Sequence, residues 1–167
     1  MLDHRCQVKG GGVRPGNEEL VGQLIRLIDI RLLDPLEILV DGHHAIDSLR
    51  TVVHEQAHSW ATTMVSGGDQ AAYGVIVRAI STLYPSDGPF NPPLDWWRTP
   101  LGQIVARRVG HPTAESVSYA VAGAMLGITR QGVHDLASRG KLARHAEGGV
   151  LSAAVRDRLL QEGTRRA

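Results

Sequence analysis

The run Leu126-Gly127-Ile128-Thr129 constrains this chain more than any other stretch. Before it, Tyr119 to Leu126 is rich in Ala and free of Pro, and Ser118 stands where a helix cap belongs. Gly127 ends such a helix, because the residue after a helix often turns left-handed and glycine does so without steric cost. Thr129 then caps a second helix, which runs to about Ser138 and stops at Gly140. Ile128 is apolar and is expected to plug the space between the two helices. Val133 and Leu136, three apart, face Leu126 and Ile128. Arg130, Gln131, His134 and Asp135 are left on the outer face. Two short helices at a tight turn, the second opening on Arg and Gln, suit the DNA major groove.

The order LGITRQGV-x-x-L-x-x-x-GKL, from Leu126 to Leu142, resembles the helix-turn-helix of MerR-like and excisionase-like winged-helix DNA-binding domains. The resemblance spans Ser116 to Leu160. It implies a wing strand over Lys141 to His145, a turn at Glu147-Gly148-Gly149 and a return strand at Val150-Leu151. Ser152 would then cap a last helix, Ala153 to Leu160. One departure is Gly123, where such motifs usually carry Ala, and glycine inside a helix costs up to about 1 kcal/mol. The resemblance also implies the site. Arg130, Gln131 and His134 would face base edges. Thr129, Arg139, Lys141 and Arg144 would meet phosphate or the minor groove. Arg107 and Arg108 are further phosphate candidates.

Charge is divided along the chain in the same sense. Arg98 to Ala167 holds 11 Lys/Arg and 5 Asp/Glu, while Met1 to Trp97 holds 7 and 12. An acidic half joined to a basic half suggests that one of them meets phosphate. Hydrophobic residues make up 43% of the chain, enough for a core. Cys6 is the sole cysteine, so an intramolecular disulfide and a cysteine zinc cluster are both excluded. A cytoplasmic location is expected. The first residues lack the apolar centre of a signal peptide, and no run is long enough to span a membrane.

The N-terminal part reads as helices. Met1 to Gly16 is a flexible arm, in which Arg5, Lys9 and Arg14 could touch DNA. Asn17 caps a helix with the stripe Leu20, Val21, Leu24, Ile25 and Ile28. That helix is expected to stop before Asp34-Pro35, where cap and proline start a second one. The second continues to about Val65, bends at Gly42, and carries Ile46, Leu49, Val53, Ala57, Trp60 and Met64. Asp69 caps a third, with Tyr73, Ile76, Val77, Ile80 and Leu83 inward. Pro85 to Pro93 is a linker or ordered loop. Trp96-Trp97 anchors a junction, and Thr99-Pro100 begins a support helix with Leu101, Ile104 and Val105 inward.

His54-Glu55-Gln56-Ala57-His58 has the form of a zinc metallopeptidase motif. Histidines four apart share a helix face and can hold one metal, with Glu55 as base on bound water. A third protein ligand is needed, and Ala61 and Met64 stand where one extension of the motif would need Gly and His. The plainer reading puts Asp47, His54 and His58 on the polar flank of a long helix. His43-His44 adds possible ligands.

The chain is therefore read as mainly α, an N-terminal helical bundle followed by a C-terminal winged helix-turn-helix. Its parts are an arm (1–16), a helical domain for self-association or partner binding (17–84), a Pro-rich linker (85–98), the winged domain (99–162) and a tail (163–167). The expected function is sequence-specific binding of double-stranded DNA, as a transcriptional regulator or recombination factor. No enzyme activity and no cofactor are expected. A homodimer or another protein partner would use the N-terminal helices. The alternatives are a zinc metallopeptidase at His54, Glu55 and His58, and a protein-interaction module.

Overall fold

The computed structural model describes residues 16–40 and 43–165. Residues 1–15 of the expected arm, with Arg5, Lys9 and Arg14, lie outside the described residues, as do the expected bend at Gly42 and the end of the tail. The chain is mainly helical. Helices α1 (Asn17–Ile28), α2 (Asp34–Val40), α3 (His43–Ser66) and α4 (Asp69–Leu83) come first. Helices α5 (Pro100–Arg108), α6 (Tyr119–Leu126), α7 (Arg130–Ser138) and α8 (Ser152–Arg165) follow. Strands β1 (Ser116–Val117) and β2 (Val150–Leu151) form a two-stranded antiparallel sheet. Among the described residues no helix is long and apolar enough to cross a membrane.

The N-terminal helices bury most of the expected stripes, with local corrections. Gly16, not Asn17, holds the cap position of α1, and its N–H donates to the Glu19 carboxylate at 3.3 Å. Leu20, Val21, Leu24 and Ile28 are buried. Asp34-Pro35 does not break the helix. A π-helical turn, Asp29–Leu33, joins α1 to α2 without interruption, and the Asp34 N–H reaches back to the Asp29 carbonyl. In a four-residue register the proline ring would press on the Arg31 carbonyl, and the wider turn relieves that clash. In α3, Ile46, Ala57, Ala61 and Met64 are buried, whereas Leu49 is exposed. In α4, Gly68 takes the cap position expected of Asp69. Its buried stripe is Ala72, Ile76, Ala79, Ile80 and Leu83, and Tyr73 and Val77 lie outside it.

One continuous core runs from these helices into the C-terminal segment. Gln23 on α1 accepts the Leu101 N–H at 2.7 Å, at the start of α5. Thr99 caps α5 by accepting the Gly102 N–H at 3.1 Å. Gly102 is required there, because a Cβ would lie 2.1 Å from the Trp96 carbonyl oxygen. Arg108, at the other end of α5, donates to the carbonyls of Met64, Val65 and Gly67 at 2.9, 2.8 and 3.0 Å. Those carbonyls close the C-terminal end of α3, where helical partners run out.

A short 3-10 turn, Leu94–Arg98, buries Trp96 and Trp97. They meet each other, Tyr84, Phe90 and His111 edge-on or tilted, with ring centroids 4.9–6.4 Å apart. Such pairs add to the burial of the rings themselves. The Pro-rich stretch is therefore tied down at Phe90. Burial lowers the pKa of His111, whose Nδ1 accepts the N–H groups of Thr113 and Ala114. The unfolded chain then binds this proton more readily, so stability falls as pH drops below the ordinary imidazole range.

Candidate nucleic-acid interface

Three local devices set the geometry of α6 and α7. Ser118 Oγ accepts the Val121 N–H at 3.2 Å and starts α6. Gly127 ends it in the left-handed region, at φ 70°. Thr129 Oγ1 accepts the Gly132 N–H at 3.1 Å and starts α7. A fourth device is Gly123, whose own carbonyl accepts the Ile128 N–H at 2.9 Å. A Cβ on Gly123 would stand 2.8 Å from the Ile128 carbonyl oxygen. The turn thus lies on bare backbone. Ile128 does not plug the gap between the helices, since the backbone fills it and the side chain is 39% exposed. Val133 and Ala137 form the buried side of α7, with Leu136 half-buried beside them. Gln103, on α5, donates to the carbonyls of Trp97 and Met125 and ties the end of α6 to the core.

The segment after α7 departs from the expected wing. Lys141 to His145 does not form a strand; within it only Arg144 bridges to Val150. The strand partner of β2 is β1, with Ser116 opposite Leu151 and Val117 opposite Val150. Backbone bonds from Leu151 N to Ala143 O (2.9 Å) and from His145 N to Gly149 O (3.2 Å) still fold the segment into a hairpin. Its tip holds Gly148 and Gly149, both at positive φ. Ser152 is not a free cap. Its hydroxyl accepts the His111 N–H, and the loop before β1 docks there.

All seven candidate residues lie on α7, its cap, or the segment that follows. The side chains of Arg130, Arg139 and Lys141 are exposed and make no hydrogen bond or ion pair among the described residues. Thr129 is committed to its cap. Gln131 Nε2 donates to Asp135 at 3.0 Å, one turn on. His134 stands edge-on to Tyr119, with centroids 6.0 Å apart, and 3.7 Å from the Asp135 carboxylate. Arg144 donates to Ser138 Oγ at 2.9 Å, which holds it against the last turn of α7. A cation there also suits the negative end of the helix dipole. Tyr119 and Asp135 position His134 and Gln131 beyond what the sequence reading assigns them; the four-residue spacing of Gln131 and Asp135 carries that signal.

Arg108 is taken out of contention by its three carbonyls and by Asp69 at 3.0 Å. The histidine motif has other neighbours too. His54 Nε2 lies 2.8 Å from Asp29, whose same oxygen accepts from Arg50 at 2.7 Å. Arg50 also reaches Glu37 at 3.1 Å. Glu55 and His58 are exposed, and the side chain of His43 lies outside the described residues. Among the described residues no group of three or more His, Cys, Asp or Glu is placed to hold a metal.

No family model, no curated protein and no solved structure matches this chain.

Proposed function

We propose that the chain binds double-stranded DNA sequence-specifically through a winged helix-turn-helix made of α6, α7 and the hairpin between Ala143 and Leu151. A transcriptional regulator or a recombination-directing factor in the cytoplasm is the role that fits. One observation carries the reading. Helix α7 is anchored by Val133 and Ala137 on one side, and its outer side opens on an exposed, uncommitted Arg130. Recognition helices read base edges from their N-terminal residues. Arg139, Lys141 and Arg144 cluster in sequence after α7, where phosphate contacts would fix orientation. Gln131 would have to leave Asp135 to meet a base, or read one from that constrained position.

Selection of bound sequences from a random duplex pool at low salt tests the proposal. The expected result is enrichment of a recurring motif of a few base pairs. A pool that stays random over successive rounds contradicts sequence-specific binding.

The histidine motif has no part in this function. Glu55→Ala and His58→Ala, both at exposed positions, are expected to leave DNA affinity within about twofold, the range of surface substitutions. Stoichiometric zinc in untagged protein, with a peptidase activity lost on Glu55→Ala, would support the peptidase instead.

A further inference from the structure

Helix α2 holds four large aliphatic side chains in seven residues and buries none of them. Ile38 is 81% exposed, Leu39 79% and Val40 51%, with Leu36 beside them. Ile30 just before α2 and Val52 on α3 are exposed as well. The charged side of α2 turns to α3, where Glu37 meets Arg50 at 3.1 Å and Asp34 lies 3.9 Å from it. The apolar side is thus the one left facing out.

We propose that this face is covered by a second copy of the chain, with the two α2–α3 hairpins packed across a two-fold axis. Area supports a chain-sized occupant. A Val, Leu or Ile side chain offers roughly 60–120 Å² of buriable apolar surface. The six residues named therefore present several hundred Å². A stable pair covers about 800 Å² per partner, about two-thirds of it apolar in homodimers. Charge narrows the choice. Helix α2 has no Lys or Arg to meet a phosphate or an anionic lipid surface. Arg50, the cation that meets the carboxylates of α2, is already bound by Asp29 and Glu37. An apolar face whose carboxylates turn inward to Arg50 can match itself, and a two-fold axis sets that face against its own copy.

The test is sedimentation velocity of the full chain without DNA, from about 1 to about 100 µM, a span that reports micromolar pairing. The expected mass is twice the 18.0 kDa of the chain at the upper end. The variant Ile38→Glu/Leu39→Glu should sediment as a single chain throughout. Its circular dichroism and melting at low concentration should match the parent, since neither side chain is buried. A milder Ile38→Ser/Leu39→Ser variant, expected to weaken pairing at least tenfold, serves if the acidic pair fails to fold. A parent chain that stays single at about 100 µM, or a folded variant that pairs as the parent does, overturns the proposal. Pairing and DNA binding are read in separate experiments, so either can fail without the other.

Discussion

Arg108→Ala is expected to lower folding stability by about 3–5 kcal/mol, the largest loss for any single polar side chain described above. The guanidinium donates to three carbonyls at the C-terminal end of α3. Hydrogen bonds from a charged group are worth about 1.5–3 kcal/mol each, and bonds that share one side chain do not add fully. The carbonyls also sit at the negative end of the α3 dipole, which favours a cation. The ion pair to Asp69 adds little, because that carboxylate is 96% exposed. Asp69→Ala should therefore change stability by no more than about 0.5 kcal/mol. Urea unfolding checks both: the Arg108→Ala midpoint should fall sharply at an unchanged slope. A loss below about 1 kcal/mol would mean that α5 is held to α3 by apolar packing alone.

Substitution of Gly123 is expected to act in the opposite sense from substitution of an ordinary helical glycine. At Gly74, in α4, nothing lies within 4 Å of an added Cβ. Gly74→Ala should therefore stabilise by up to about 1 kcal/mol through helix propensity. At Gly123 the added Cβ would meet the Ile128 carbonyl oxygen at 2.8 Å, and that atom belongs to backbone held by the turn. Overpacking costs about 1–3 kcal/mol and offsets the propensity gain. The expected net effect of Gly123→Ala is a loss of about 1–2 kcal/mol, and of Gly123→Val about 3 kcal/mol or more. Thermal melting of the three variants gives the comparison. If Gly123→Ala melts above the parent, as Gly74→Ala should, the approach of α6 to the turn is looser than the structure has it.

These residues also show what could be read from the sequence. The cap at Ser118, the stop at Gly127 and the caps at Thr129 and Thr99 were legible, because each depends on groups within three or four residues. Features decided by distant groups were not. Arg108 reads as a surface cation at a helix end, yet its carbonyl partners lie 41–44 residues earlier. Asp34-Pro35 reads as a helix boundary by local rules. Those rules yield to a π turn whose Asp29 is gripped by Arg50 and His54 from another helix. By adjacency Val150-Leu151 should pair with Lys141 to His145, but the strand that pairs with it precedes α6. The outer face of α7 was legible by helical spacing. The hold of Ser138 on Arg144 was not, because it depends on how the chain turns after Gly140.

The DNA proposal is tested most directly by the affinities of Arg130→Ala and Lys141→Ala for a selected duplex and a random one, each at several salt concentrations. Arg130 opens α7, where a guanidinium can meet guanine through two hydrogen bonds worth roughly 1–3 kcal/mol of discrimination. Lys141 lies past the end of that helix, where a phosphate contact carries charge but no sequence information. Arg130→Ala should weaken the selected duplex much more than the random one. Lys141→Ala should weaken both alike and lower the salt slope by about 0.9 for its one lost phosphate contact. Equal factors on both duplexes for both variants would contradict α7 as the recognition helix, and no change in either would contradict DNA as the partner of this surface.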